Sequence, residues 1–109
     1  MHKVWILAAF LLAHDSGTPY ADWMTSLMQP GRKASCCGVA DQYWVTEYAP
    51  SYRPGVAFVA VVQSRDGNST FMMDVPEGTV LWNSTNPTGR GVIFIQGTKV
   101  LCFVPGTGA

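Results

Sequence analysis

The stretch GVAFVAVVQ (55–63), SRDGNS (64–69) and TFMMDV (70–75) decides the fold. Gly55 to Gln63 is apolar at both alternating sets of positions, which predicts a central strand covered on both faces. Asp66-Gly67 follows it, and both residues tolerate the positive φ that a tight hairpin turn needs. Thr70 to Val75 then pairs back antiparallel. Working outward, Pro76-Glu77-Gly78 turns the chain again and Thr79 to Trp82 reads as a short strand. Upstream, Tyr43 to Ala49 (YWVTEYA) is rich in β formers, and Pro50 and Pro54 frame a turn carrying Tyr52 and Arg53. Downstream, Asn83 to Arg90 is a polar loop, and Gly91 to Gln96 and Lys99 to Val104 form a hairpin about Gly97-Thr98. Six candidate strands with turns every 6 to 12 residues leave no room for βαβ crossovers. The reading is mainly β: a small antiparallel β-barrel or strongly curved sheet with one short N-terminal helix. An α+β sheet packed on that helix is the alternative.

The helix is expected over residues 18–28. Thr18 can cap it, Pro19 suits its first position, and Asp22 places a negative charge in its first turn. Tyr20, Trp23, Met24, Leu27 and Met28 form one apolar stripe at helical period, and Pro30-Gly31 stops the run. Such a stripe could line a ligand groove, but burial against the sheet explains it without a ligand.

Ahead of the helix, Met1-His2-Lys3 precedes the apolar run Val4 to Ala13 and the polar turn His14-Asp15-Ser16-Gly17. These are the three parts of a secretory signal, and the run falls short of the roughly 20 residues a membrane span needs. We therefore expect a signal peptide over 1–13, no stable transmembrane segment in the mature protein, and a single small domain over 14–109. Cleavage after Ala13 leaves Leu11 where a small residue is preferred, and cleavage after Ala21 leaves Pro19 there. A buried first strand or helix is the competing reading of the run.

The chain has 109 residues, 48% apolar and 13% charged, with seven Lys+Arg against seven Asp+Glu. Such a composition suits one folded domain and is too apolar for a disordered chain. The even charge balance argues against a nucleic-acid partner, which normally demands a basic footprint.

Catalytic sets are sparse. Cys36, Cys37 and Cys102 are the only thiols, His2 and His14 are the only histidines, and both histidines lie at the N-terminal end. No G-x-S-x-G elbow and no C-x-x-C pair occurs, so neither a serine hydrolase nor a thioredoxin-like centre is expected. Zinc would have to use three cysteines without C-x₂-C spacing, and the carboxylates show no calcium-loop pattern. No cofactor is expected. Asp41 and Glu47 could pair for sugar chemistry but read more simply as a loop cap and a solvent-facing strand residue. Tyr43, Trp44, Tyr48, Tyr52 and Trp82 could form a stacking platform, although core packing accounts for Trp44 and Trp82. The loop Asn83 to Gly91 could turn backbone N–H groups toward an anion, yet ordinary turn chemistry explains its composition. Asn68-Ser69-Thr70 and Asn83-Ser84-Thr85 match the glycosylation sequon.

Cysteine pairing follows from export, small size and the apolar strand around Cys102. A domain this small benefits from a covalent clamp, and an oxidising compartment allows one. Cys102 is expected to pair with Cys36 or Cys37, leaving a buried neighbour. Gly38, which permits close approach, favours Cys37. A vicinal Cys36–Cys37 bridge closes almost no loop.

The chain also resembles a group of small exported proteins of alphaproteobacteria. The likeness rests on Trp23-Met24, on Cys36-Cys37-Gly38-Val39-Ala40-Asp41, and on Asn86-Pro87-Thr88-Gly89-Arg90-Gly91-Val92-Ile93-Phe94 followed by Cys102-Phe103-Val104-Pro105. It covers most of the chain after the signal and implies periplasmic residence and a cysteine pairing, with no named chemistry. Some of these proteins carry a further cysteine soon after the C-C-G motif. Here Gln42 and its neighbours supply none.

The functional expectation is a periplasmic or secreted binding or structural module without a catalytic centre, with a peptide, a glycan or an envelope protein as partner. Asp41, Trp44, Asn86 and Arg90 are the candidate ligand contacts. The alternative is a small enzyme or enzyme inhibitor with a polar site near Asp41 and Arg90. It requires these groups and the Cys36-Cys37 loop to converge in one pocket.

Overall fold

The structure is a computed structural model and describes residues 20–107. The expected signal peptide, His14, the cap expected at Thr18 and the first helical position expected at Pro19 lie outside the described residues. The chain forms α1 (Ala21–Ser26), β1 (Asp41–Pro50), β2 (Val56–Gln63), β3 (Thr70–Pro76), a 3-10 turn (Glu77–Thr79), β4 (Gly91–Gln96) and β5 (Lys99–Val104). The five strands make one antiparallel sheet in the order β3-β2-β1-β4-β5. It curves into a half-barrel, with a single short N-terminal α-helix among the described residues. Three hairpins supply most of this order: the meander β1-β2-β3 on one side and β4-β5 inserted against β1 on the other.

Curvature has a local cause. Register shifts fall between Val45 and Glu47 on β1, between Val56 and Phe58 on β2, and opposite Phe94 and Ile95 on β4. Each inserts an extra residue into one strand and raises the local twist. The concave face then closes over Val45, Ala60, Val62, Val75, Ile93, Ile95, Val100 and Phe103. Tyr48, Phe58 and Phe103 meet edge to face there, with centroids 5.1 to 5.6 Å apart. After β3 the chain crosses to the far edge, where Val80 forms a lone parallel bridge with Phe103 of β5.

The convex face is covered over one half only. Val92, Phe94, Leu101, Cys102 and Val104 of β4 and β5 pack against Leu27 and Cys36, with Trp23 and Met24 of α1 and Trp44 of β1 alongside. A disulfide from Cys36 to Cys102, with Cα atoms 5.8 Å apart, fastens this layer to the sheet.

Several expectations need correction. The helix is shorter than residues 18–28 because Leu27 turns extended, with φ −73° and ψ 135°, and Met28 bridges Ser35 instead of continuing the spiral. Leu27 is buried as expected, but Met28 is exposed. The segment Thr79 to Trp82 is not a strand beyond the Val80 bridge, and Trp82 is exposed against Phe58 rather than in the core. The strands buried on both faces are β4 and β5, whereas the outer side of β2 stays half-exposed because α1 does not reach it. Cys36, not Cys37, pairs with Cys102, and Cys37 is half-buried rather than buried.

Candidate functional site

Asp41 opens β1 at the point where the chain leaves the disulfide loop, and this places it in a hollow of about 500 Å³ beneath α1. One wall is the helix, through Ala21, Met24 and Thr25; another is the loop, through Ser35, Cys37, Gly38 and Ala40; Gln42 and Arg65 complete it. The size falls within the range of about 300–1,000 Å³ usual for small-ligand sites.

The loop wall is built by short-range bonds. Cys36 N–H donates to the Leu27 carbonyl at 3.0 Å, and the Ser35 hydroxyl oxygen accepts from the N–H groups of Cys37 (3.0 Å) and Gly38 (3.2 Å). The Gln29 amide donates to the Ser35 carbonyl at 3.1 Å. These bonds hold Cys37 toward the hollow, while its neighbour Cys36 turns into the core.

Arg65 comes from the β2-β3 turn. Gly67 takes φ +78° there, and Asp66 accepts from the Ser64 hydroxyl (2.6 Å) and from Asn68 N–H (2.9 Å). Those donors, the Ser64 hydroxyl first, hold the Asp66 carboxyl below the ordinary aspartate range. With the turn so fixed, Arg65 donates to the Gln42 carbonyl at 2.9 Å and lies over the Tyr43 ring at 5.4 Å. The Gln42 side-chain nitrogen is buried with no hydrogen-bond partner among the described residues. An unmet buried donor is uncommon in a settled fold and is a familiar companion of ligand sites.

The four expected contacts do not form one set. Trp44 and Arg90 do meet: the guanidinium lies 4.3 Å from the Trp44 ring centroid and reaches Gln63 Oε1 at 3.5 Å. Arg90 instead lines a second, wider hollow with Glu47, Tyr48 and Gly106, which begins at Val45, four residues along β1 from Asp41. Asp41 and Glu47 therefore belong to different hollows and make no carboxylate pair. Asn86 is 5% exposed and is used up internally. Its amide nitrogen donates to the carbonyls of Arg90 (2.6 Å) and Pro105 (3.0 Å), and its oxygen accepts from Thr88. It shapes the loop that presents Arg90 and offers no atom to a ligand.

Comparison with family models, with curated proteins and with solved structures gives no match. The site is therefore read from its own chemistry. Among the described residues no three His, Cys, Asp or Glu side chains are grouped as metal ligands, and no helix is long and apolar enough to cross a membrane. The sequence pointed to Asp41, to the cysteine loop and, through the apolar stripe, to Met24, but not to Arg65 or Gln42. Arg65 carried a usable signal: it stands in the turn with the strongest hairpin signature in the chain, so its direction is fixed.

Proposed function

We propose that the protein is a small binding module of an oxidising, periplasmic compartment that takes a short peptide in the hollow beneath α1. The observation that carries this reading is the set of groups lining that hollow. Asp41 supplies a carboxylate, Arg65 a guanidinium and Gln42 an amide, while Ala21, Met24 and Ala40 supply apolar wall. A ligand bearing both an ammonium and a carboxylate, with a small apolar side chain between them, satisfies all of these at once. Neutral glycans satisfy only the polar part. The disulfide supports the compartment, because such bridges persist where thiols are not kept reduced.

Isothermal titration of short unblocked peptides tests the proposal. Arg65→Ala should weaken binding about 10- to 100-fold, the scale of one charge-assisted hydrogen bond. Asp41→Asn should weaken peptides with a free amine more than acetylated ones. Equal affinity in both variants, or preference for a neutral glycan, overturns the reading.

The enzyme or inhibitor alternative keeps one specific support, since Asp41 and Cys37 line the same hollow. Arg90 does not join them. Peptide turnover that stops in Asp41→Asn while binding persists would move the assignment to that alternative.

A further inference from the structure

The sheet treats its two edges differently. On β5, Val80 bridges Phe103, and Leu81 N–H donates to the Phe103 carbonyl at 2.9 Å. On β3, no backbone hydrogen bond from any described residue reaches the outward edge. Exposed edges are ordinarily guarded by lysines, bulges or prolines, which stop another strand from adding. Along 70–75 there are none. The register with β2 runs without a shift from Val75 opposite Phe58 to Thr70 opposite Gln63. The single charge, Asp74, already pairs with Arg53 of the same chain, and Pro76 only closes the end. Met72 is 68% exposed and Phe71 39%, too much apolar surface to leave on an unguarded edge without purpose.

We propose that β3 pairs antiparallel with β3 of a second copy about a two-fold axis at Met72, joining two half-barrel sheets into one. The sequence of β3 is complementary to itself in this register. Thr70 faces Asp74 on both sides of the axis, so a hydroxyl donor meets a carboxylate twice. Phe71 faces Met73, a ring against a thioether, and Met72 faces its own copy. No like charges meet. The even-numbered residues share the outer face and the odd-numbered ones the concave face, as they already do against Val61 and Ala60 within the chain. A second copy is thus a better occupant than an arbitrary extended peptide, which would match these pairs only by chance.

Sedimentation of the purified chain over a concentration series tests this directly. The expected mass rises to twice that of the chain. Met72→Lys sets two ammonium groups face to face at the axis and should return the mass to that of one chain, with a far-ultraviolet spectrum unchanged. Met72→Cys should be linked into a dimer by a short bifunctional thiol reagent, because two directly opposed Cβ atoms lie about 4.5–5.5 Å apart, beyond the roughly 3.5–4.5 Å of a direct disulfide. Lys99→Cys, on the hairpin away from the axis, should not. A mass of one chain at every concentration overturns the proposal, as does a dimer that survives Met72→Lys or cross-linking no faster at position 72 than at 99.

Discussion

At Gly106 the backbone itself sets the identity of the residue. A Cβ placed there would lie 2.8 Å from Gly91 N and 3.0 Å from the Gly89 oxygen, both main-chain atoms that cannot swing aside. The Gly106 carbonyl also accepts from the Tyr48 hydroxyl at 3.1 Å, tying the segment after β5 to the middle strand. Gly106→Ala should therefore destabilise the protein by about 1–3 kcal/mol, the cost of overpacking a rigid site. Equilibrium urea unfolding reads it, and an unchanged midpoint would contradict the contact. Asp66 makes a different kind of prediction. Its folded-state pKa is depressed, so its contribution to stability is present above the unfolded aspartate value and fades as pH falls through the folded one. The gap in melting temperature between the natural chain and Asp66→Asn should be widest near neutrality and close in acid. A gap independent of pH would show that the turn does not depend on the charge.

The elements show how the layer beneath α1 is made. Helix α1 is only six residues long and has no side-chain cap among the described residues, so it cannot be stable by itself. It persists because Leu27, just past its end, is 5% exposed beside the Cys36–Cys102 bridge. Leu27→Ala should cost roughly 2–4 kcal/mol, whereas Met28→Ala, on the exposed side, should stay within about 0.5 kcal/mol. Comparable losses at both positions would mean that the layer packs differently. The strands and hairpins were legible in the chain because alternation and Asp66-Gly67 are local signals. The helix end was not, since the bond that stops it, Cys36 N–H to the Leu27 carbonyl, joins residues across a loop. Period alone carried the expected helix through Leu27 and Met28. Trp82 misled for a related reason: an aromatic beside a turn reads as core, but the lone bridge at Val80 leaves it facing outward. The hollow was half legible, through Asp41 and the cysteine loop. Its other half comes from Arg65, which tertiary curvature brings from a distant turn.

Across the whole molecule two apolar clusters lie back to back through β4 and β5. The concave one is made entirely by the sheet and the segment that closes it, while the convex one depends on residues 23–44 being held down. The disulfide spans a separation of 66 residues, for which the chain-entropy estimate is about 4 kcal/mol. That is a large share of the 5–15 kcal/mol typical of a small domain, yet its structural reach is uneven. Reduction should free the loop around Cys36 and the α1 wall first, since among the described residues their other anchors are a few main-chain bonds, the buried Leu27 and the half-buried Trp23 and Met24. The concave cluster keeps every one of its own contacts. Hydrogen exchange read by mass spectrometry should then show amides of residues 27–40 opening on reduction while those of β1 and β2 remain protected. The same treatment should abolish peptide binding, because the hollow loses two of its walls together. The Cys37→Ala chain should keep both the bridge and the protection pattern, and Cys36→Ala should behave as the reduced protein does. Exchange that rises evenly over all strands on reduction would mean that the sheet and its outer layer fold as one unit, and the convex layer could not then serve as a separately fastened wall.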